Sequence, residues 1–123
     1  MPTFNVISFE RIGVPRELSL AEIFQLGYYW ETKILLTAVR LDLFSVLDGK
    51  SKTVGDIAGR VGAHEPFLSL LLNALVAMRL LVKDGDRYRN AIAAEQHLVR
   101  SSPQYIGHLL LLHDAEWNNW GKL

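Results

Sequence analysis

The chain has 123 residues, the length of one domain, and its thirteen basic and thirteen acidic side chains give a formal charge of zero. It contains no cysteine, which excludes thiol catalysis, zinc–cysteine sites and a disulfide scaffold and favours the cytoplasm. Without a block of like charge, a long apolar run or a signal sequence, binding to nucleic acid or to a membrane is not expected. No two glycines are separated by a single residue, so the sequence lacks a glycine-rich cofactor loop.

The N-terminal region divides at Ser19. Residues 1–18 show no sustained period and predict an N-terminal arm, followed by one domain over residues 19–123. Ser19 and Glu22 form a capping box, and the apolar spacing after them predicts one long helix over residues 20 to about 40.

An aromatic cluster lies on this predicted helix; its members are Phe24, Tyr28, Tyr29 and Trp30. Such side chains pack into a core, line an apolar ligand pocket or form an interface. Because residues 28–30 are consecutive, they point in three directions, and one core absorbs only some of them. The cluster therefore predicts a dimer interface.

Short elements follow in the middle of the chain. Residues 43–47 predict an apolar turn or helix, and a second capping signal at Thr53 opens a short helix that ends at Gly62. The next helix is expected over about residues 65–79, so that two helices meet at a tight corner.

A hairpin and a final helix complete the pattern. Residues 80–83 and 87–90 flank an Asp-Gly turn, and residues 91–97 predict one or two helical turns. A last helix is expected to start at Ser101-Ser102-Pro103 and to carry a stripe of Ile106, Leu110, His113, Trp117 and Trp120. The order predicts a mainly α, winged-helix-like domain with a small β-hairpin and long flanking helices for dimerisation.

The second corner helix would read DNA in a winged-helix regulator. Only Ser69, Asn73 and Arg79 there suit a base or a phosphate, and Leu70 shares their face. A helix that is apolar nearly all round predicts burial, which argues against DNA binding. A winged-helix DNA-binding transcription regulator remains the alternative.

The four histidines lack the spacing of metal ligands, so no metal site is predicted. His64 is interpreted as a cap of the corner helix. The segment His113-Asp114-Ala115-Glu116 offers a base and an orienting acid in principle, but one histidine without a nucleophile specifies no reaction. No catalytic residue is assigned.

Residues 38–47 (AVRLDLFSVL), 53–58 (TVGDIA), Gly62 and 68–77 (LSLLLNALVA) resemble the N-terminal dimerisation domain of S-adenosylmethionine-dependent small-molecule O-methyltransferases. The likeness continues through Leu80-Leu81, Tyr88-Arg89 and residues 117–123 (WNNWGKL), and so spans about residues 20–123. The sequence departs from the family at Leu70 and Asn73, where arginines are common, and at His64, where an acidic cap is common. Leu70 favours an interface.

The resemblance implies that the domain pairs two subunits and lends side chains to the pocket for a small aromatic acceptor. His113, Trp117 and Trp120 are the expected substrate-lining residues. It also implies that S-adenosylmethionine binds to a following Rossmann-like domain, which these residues do not include, so the chain itself is expected to bind no cofactor. The resemblance leaves two interpretations of the chain. It is either a truncated enzyme, which is favoured because the sequence ends shortly after Trp120, or a standalone module that pairs subunits, binds a ligand or acts as a scaffold.

Overall fold

The computed structural model describes residues 16–123, so the arm predicted for residues 1–18 lies outside the described residues except for its last three. The described chain falls into two compact units, residues 16–30 and 31–123. Its elements are α1 (Leu20–Leu26), α2 (Trp30–Arg40), α3 (Leu43–Val46), β1 (Lys52–Thr53), α4 (Val54–Val61), α5 (Glu65–Ala77), β2 (Leu81–Asp84), β3 (Arg87–Asn90), α6 (Ile92–His97) and α7 (Gly107–Gly121).

The single helix predicted over residues 20–40 is wrong, because the chain leaves the helical path between α1 and α2. The amide of Gly27 donates to Phe24 O at 3.1 Å, and the amide of Tyr28 donates to Gln25 O at 3.2 Å, which closes α1 with a tighter turn. Glycine costs about 1 kcal/mol relative to alanine inside a helix. The spacing of apolar residues therefore continues across Gly27, although the backbone leaves the helix there.

The structure confirms the predicted corner between α4 and α5 and the predicted hairpin. Thr53 caps α4 by accepting the amide of Asp56 at 3.2 Å, and Gly62 ends that helix with φ +69°. β2 and β3 pair antiparallel around Gly85, whose φ is +60°. The sequence did not predict β1, which adds two residues to the other edge of β3 and gives the strand order β1-β3-β2.

The predicted start of the last helix is also wrong, because residues 101–106 form turns and α7 begins at Gly107. The hydroxyl of Ser102 donates to Gln96 O at 2.5 Å and accepts the amide of Gln104 at 3.3 Å. Such local side-chain bonds compete with a helix for the backbone groups. The amide of Ile106 donates to His97 O at 2.8 Å, which fixes the path into α7.

The core of the second unit lies between α2–α6 and the sheet. The largest of its fully buried side chains are Phe44, Leu36, Leu43, Leu47, Ile57, Leu68, Leu72 and Leu75. The result is a mainly helical, winged-helix-like domain with a small antiparallel sheet, as the element order predicted. Over residues 16–123, every helix is too short or too polar to cross a membrane.

Candidate functional site

The first unit presents an apolar surface to solvent. α1 contributes no buried residue, and its Phe24 side chain is 75% exposed. Tyr28, Tyr29 and Trp30 are exposed as well. With Ile23, Phe24 and Gly27, these three aromatic residues line a groove of about 390 Å³. A contiguous apolar surface of this kind marks an interaction site in a water-soluble protein.

The three consecutive aromatic residues form one cluster around Trp30. The ring of Trp30 lies 5.8 Å from the ring of Tyr28, in a tilted arrangement, and 6.1 Å from that of Tyr29, edge to face. Both arrangements are favourable for aromatic pairs. The three side chains therefore form one surface, whereas the sequence predicted that they point in three different directions.

Polar contacts hold the start of α1. The hydroxyl of Ser19 accepts the amide of Glu22, and the carboxylate of Glu22 accepts the amide of Ser19, which confirms the capping box. Arg16 Nη1 donates to Glu22 Oε1 at 3.0 Å. The hydrogen bond from Arg16, together with that from the Ser19 amide, lowers the pKa of Glu22 to about 2.

The corner helix α5 is buried on one face only, which corrects the predicted all-round burial. Leu68, Leu72 and Leu75 face the core, whereas Leu70 is 68% exposed and Phe67 is 71% exposed. Phe67 and Leu70 are three residues apart and so share a face of the helix. Exposure of Phe67 was not predicted from the sequence, although its spacing of three residues to Leu70 was the available signal.

Polar residues near this face are engaged within the fold. Tyr88 donates its hydroxyl to Asn73 Oδ1 at 2.8 Å, and Lys83 Nζ donates to the same oxygen at 3.5 Å. Asn73, one of the three side chains of α5 and its end that could contact a DNA base, is thus held against the hairpin. His64 occupies the N-cap position of α5 but makes no side-chain capping bond; its ring lies 5.2 Å from that of Phe67.

The structure separates the residues of the stripe predicted on α7. Leu110 and Trp117 are half-buried, His113 is exposed, and Trp120 is 72% exposed. The face of α7 that enters the fold instead follows Gly107, Leu110, Leu111, Asp114 and Trp117. A shallow groove of about 260 Å³ runs along the end of the helix, lined by Glu116, Asn119, Trp120 and Leu123.

Asp114 is a buried acidic residue of α7. Its carboxylate pairs with Lys33 Nζ at 3.5 Å and with Arg40 Nη1 at 3.2 Å. These contacts engage Asp114, one of the two acids in residues 113–116, with basic residues of α2. The spacing of Lys33 and Arg40, seven residues on one helix, was the signal for a shared partner.

The described residues offer little to a metal ion. Within residues 16–123, no three His, Asp or Glu side chains are grouped so that they could hold one. Lys33, Arg40 and Asp114 form a mixed-charge cluster that suits an internal contact between helices.

A model of the O-methyltransferase dimerisation domain matches residues 24–100, more than half of the chain. The chain belongs to the O-methyltransferase dimerisation domain family. The matched region contains the aromatic cluster, the corner helices and the whole sheet.

Three relatives are longer than this chain, and two of them are named methyltransferases. The chain is 39% identical over 97 residues to the tetracenomycin polyketide synthesis 8-O-methyl transferase TcmO of Streptomyces glaucescens, covering 77% of this chain and 29% of TcmO. It is 40% identical over 96 residues to the N,N-dimethyltransferase OxyT of Streptomyces rimosus, covering 77% of this chain and 28% of OxyT. The solved structure of PigF with SAH superposes with a TM-score of 0.75 at 27% identity, covering 86% of this chain and 32% of PigF. The chain therefore spans less than a third of the length of each relative.

Proposed function

We propose that the chain, over residues 19–123, is the cytoplasmic homodimerisation module of an S-adenosylmethionine-dependent methyltransferase that acts on a small aromatic molecule. Family membership supports the pairing role, and the name of TcmO, which places it in polyketide synthesis, supports a small-molecule acceptor. PigF was solved with SAH, the product form of the cofactor, which supports the cofactor of the complete enzyme. Catalysis and cofactor binding are assigned to residues outside this chain.

The proposed interface consists of Phe24, Tyr28, Tyr29 and Trp30, with Leu70 as a further contact. The observation that carries this proposal is the exposed apolar surface of α1 and the aromatic segment after it. A homodimer that buries about 1,000 Å² on each subunit, two thirds of it apolar, gains about 30 kcal/mol of gross hydrophobic free energy. Association and ordering cost about 4 to 15 kcal/mol, so a surplus remains.

Sedimentation equilibrium of the 123-residue chain tests the interface. Wild type is expected to be dimeric at micromolar concentration, and Tyr28→Asp or Trp30→Asp to weaken the dimer at least about 100-fold, because each buries two unpaired carboxylates. The matched control is Ile92→Asp on α6, where the wild-type side chain is 78% exposed and lies outside the proposed interface. A monomeric wild type, or equal dissociation constants for all three variants, contradicts the assignment.

The proposed acceptor-lining residues are His113, Trp117 and Trp120. Exposure of His113 and Trp120 leaves them free to contact another surface, and the flat indole rings suit a planar acceptor. In the complete enzyme, Trp117→Ala is expected to raise the KM for the acceptor or lower kcat while cofactor affinity stays near that of wild type. Unchanged acceptor kinetics with a lower melting temperature would assign Trp117 to packing alone.

A further inference from the structure

The carboxylate of Asp114 is the most enclosed charge in the cluster that joins α2 to α7. Its side chain is 12% exposed, compared with 35% for Lys33 and 51% for Arg40. Arg40 Nη1 reaches both carboxylate oxygens, at 3.2 and 3.4 Å, and Lys33 Nζ approaches Oδ1 at 3.5 Å. A buried carboxylate needs such partners, since an uncompensated charge in this position is strongly destabilising.

Lys33 has a second contact, which links the ion pair to the aromatic residue of α7. Its Nζ lies 5.0 Å from the centroid of the Trp117 ring. Asp114 and Trp117 are three residues apart on α7 and so lie on neighbouring positions of one face. A single ammonium group therefore touches both the carboxylate and the indole ring.

We infer that Asp114 is a positioning residue that acts through Lys33 to set the orientation of the Trp117 ring on α7. The inference rests on the proposed function, in which Trp117 lines the acceptor pocket. The carboxylate holds the ammonium in place, and the ammonium attracts the face of the indole ring. Arg40 lies two turns further along α2 and donates to both oxygens of the same carboxylate. Asp114 is therefore fixed by Arg40 while Lys33 also contacts the indole ring.

This arrangement has a consequence for an acceptor. Trp117 is half-buried, so part of its surface is available to another molecule. A ring held at a fixed angle presents one flat surface, whereas a ring free to rotate presents several and must be ordered on binding. Holding the ring before the acceptor arrives removes that ordering cost from binding.

Fluorine NMR of the 123-residue chain labelled with 5-fluorotryptophan tests the inference. The three tryptophans give three resonances, and Trp117→Phe assigns one of them. Lys33→Met keeps the aliphatic stem and removes the charge, so the Trp117 resonance is expected to shift by more than its linewidth. Lys33→Arg restores a cation and is expected to return the resonance toward its wild-type position. Lys83→Met is the matched control, because Lys83 lies 5.2 Å from the ring of Tyr88 and not over a tryptophan.

Asp114→Asn completes the test, because it removes the negative charge and leaves Lys33 intact. The Trp117 resonance is expected to move in the same direction as in Lys33→Met. The inference is overturned by a Trp117 resonance that stays within its linewidth in Lys33→Met or that moves equally in Lys83→Met. It is also overturned by a resonance that, in Asp114→Asn, stays in place or moves opposite to its shift in Lys33→Met, as the loss of a nearby charge alone would make it move. Where Asp114→Asn fails to fold, Asp114→Glu, which moves the carboxylate along a longer side chain, is measured in its place and is expected to shift the resonance as well. Unchanged acceptor kinetics of Trp117→Ala in the complete enzyme would refute the proposed role of Trp117 in the acceptor pocket and leave this NMR result unaffected, so the two failures are distinguishable.

Discussion

Asn90 supports a sharp stability prediction, because it is a buried polar residue with a charged neighbour. Its Nδ2 donates to Phe44 O at 2.9 Å and to Glu95 Oε1 at 3.0 Å, which joins the end of β3 to α3 and α6. Asn90→Asp keeps the shape of the side chain and replaces the donor with a carboxylate. Asn90→Leu removes the donor without adding charge. The pair therefore separates lost hydrogen bonds from charge repulsion.

The structure sets the expected sizes of the two effects. A neutral hydrogen bond contributes about 1 kcal/mol and one to a charged group about 1.5 to 3 kcal/mol, so both variants lose about 2 to 4 kcal/mol. Only Asn90→Asp places a second carboxylate beside Glu95. Two like charges about 4 Å apart repel by about 4 kcal/mol at an effective dielectric constant of 20. Protonation relieves part of this, so an extra loss of about 2 to 4 kcal/mol is expected near pH 7.

The extra loss should depend on pH in one direction. Burial and the Glu95 carboxylate raise the pKa of the introduced carboxyl above about 3.9, its value in an unfolded chain. The folded state then binds the proton more tightly, so the extra loss is complete above the raised pKa and vanishes as the pH falls to about 4. Urea unfolding followed by circular dichroism, at fixed protein concentration, measures both variants near pH 7 and near pH 4. Equal stabilities near pH 7, or a difference that persists in acid, would refute this reasoning.

Three further predictions concern the core, a helix end and a charged cap. Leu72→Ala is expected to lower the free energy of unfolding by about 2 to 5 kcal/mol in urea titrations, because Leu72 is fully buried. Gly62→Ala should lower the free energy of unfolding by about 1 to 2 kcal/mol, because φ is +69° at this position. Gly59→Ala, inside α4 with open space around it, should raise the free energy of unfolding by about 0.5 to 1 kcal/mol. Changes of the same sign in both variants would contradict this prediction. An NMR titration should give Glu22 a pKa of about 2, so that its contribution to folding is present above about pH 4.3 and is lost as the pH falls through about 2. Arg16→Gln should raise this pKa, and an unchanged value would remove Arg16 as its cause.

Strong local signals predicted most of the second unit. The cap at Thr53, the left-handed glycine at position 62 and the Asp-Gly turn each act through a backbone requirement that few residues satisfy. β1 escaped prediction because a two-residue strand has no period of its own and exists only through its pairing with β3. The family resemblance was confirmed on the same segment, within residues 24–100.

The two wrong helix predictions share a physical cause. Apolar spacing does not show where the backbone leaves the helix, and it does not show which polar side chains find partners. The period through residues 20–40 continues across Gly27, where the helix breaks. On α7, the predicted stripe through His113 differs from the observed buried face through Asp114. A carboxylate on that face is stable only because Lys33 and Arg40 meet it, and their convergence depends on the packing of α2 against α7.

We propose that the aromatic segment after α1 pairs two copies of this chain. Isotope-filtered NOE spectroscopy on a mixture of carbon-13-labelled and unlabelled chains measures contacts between copies and no others. Pairing through this segment predicts NOEs between subunits from the rings of Tyr28, Tyr29 and Trp30 to the side chains of Phe24 and Ile23. A dimer whose NOEs between subunits come only from other residues, or a mixture with none at millimolar concentration, would contradict it.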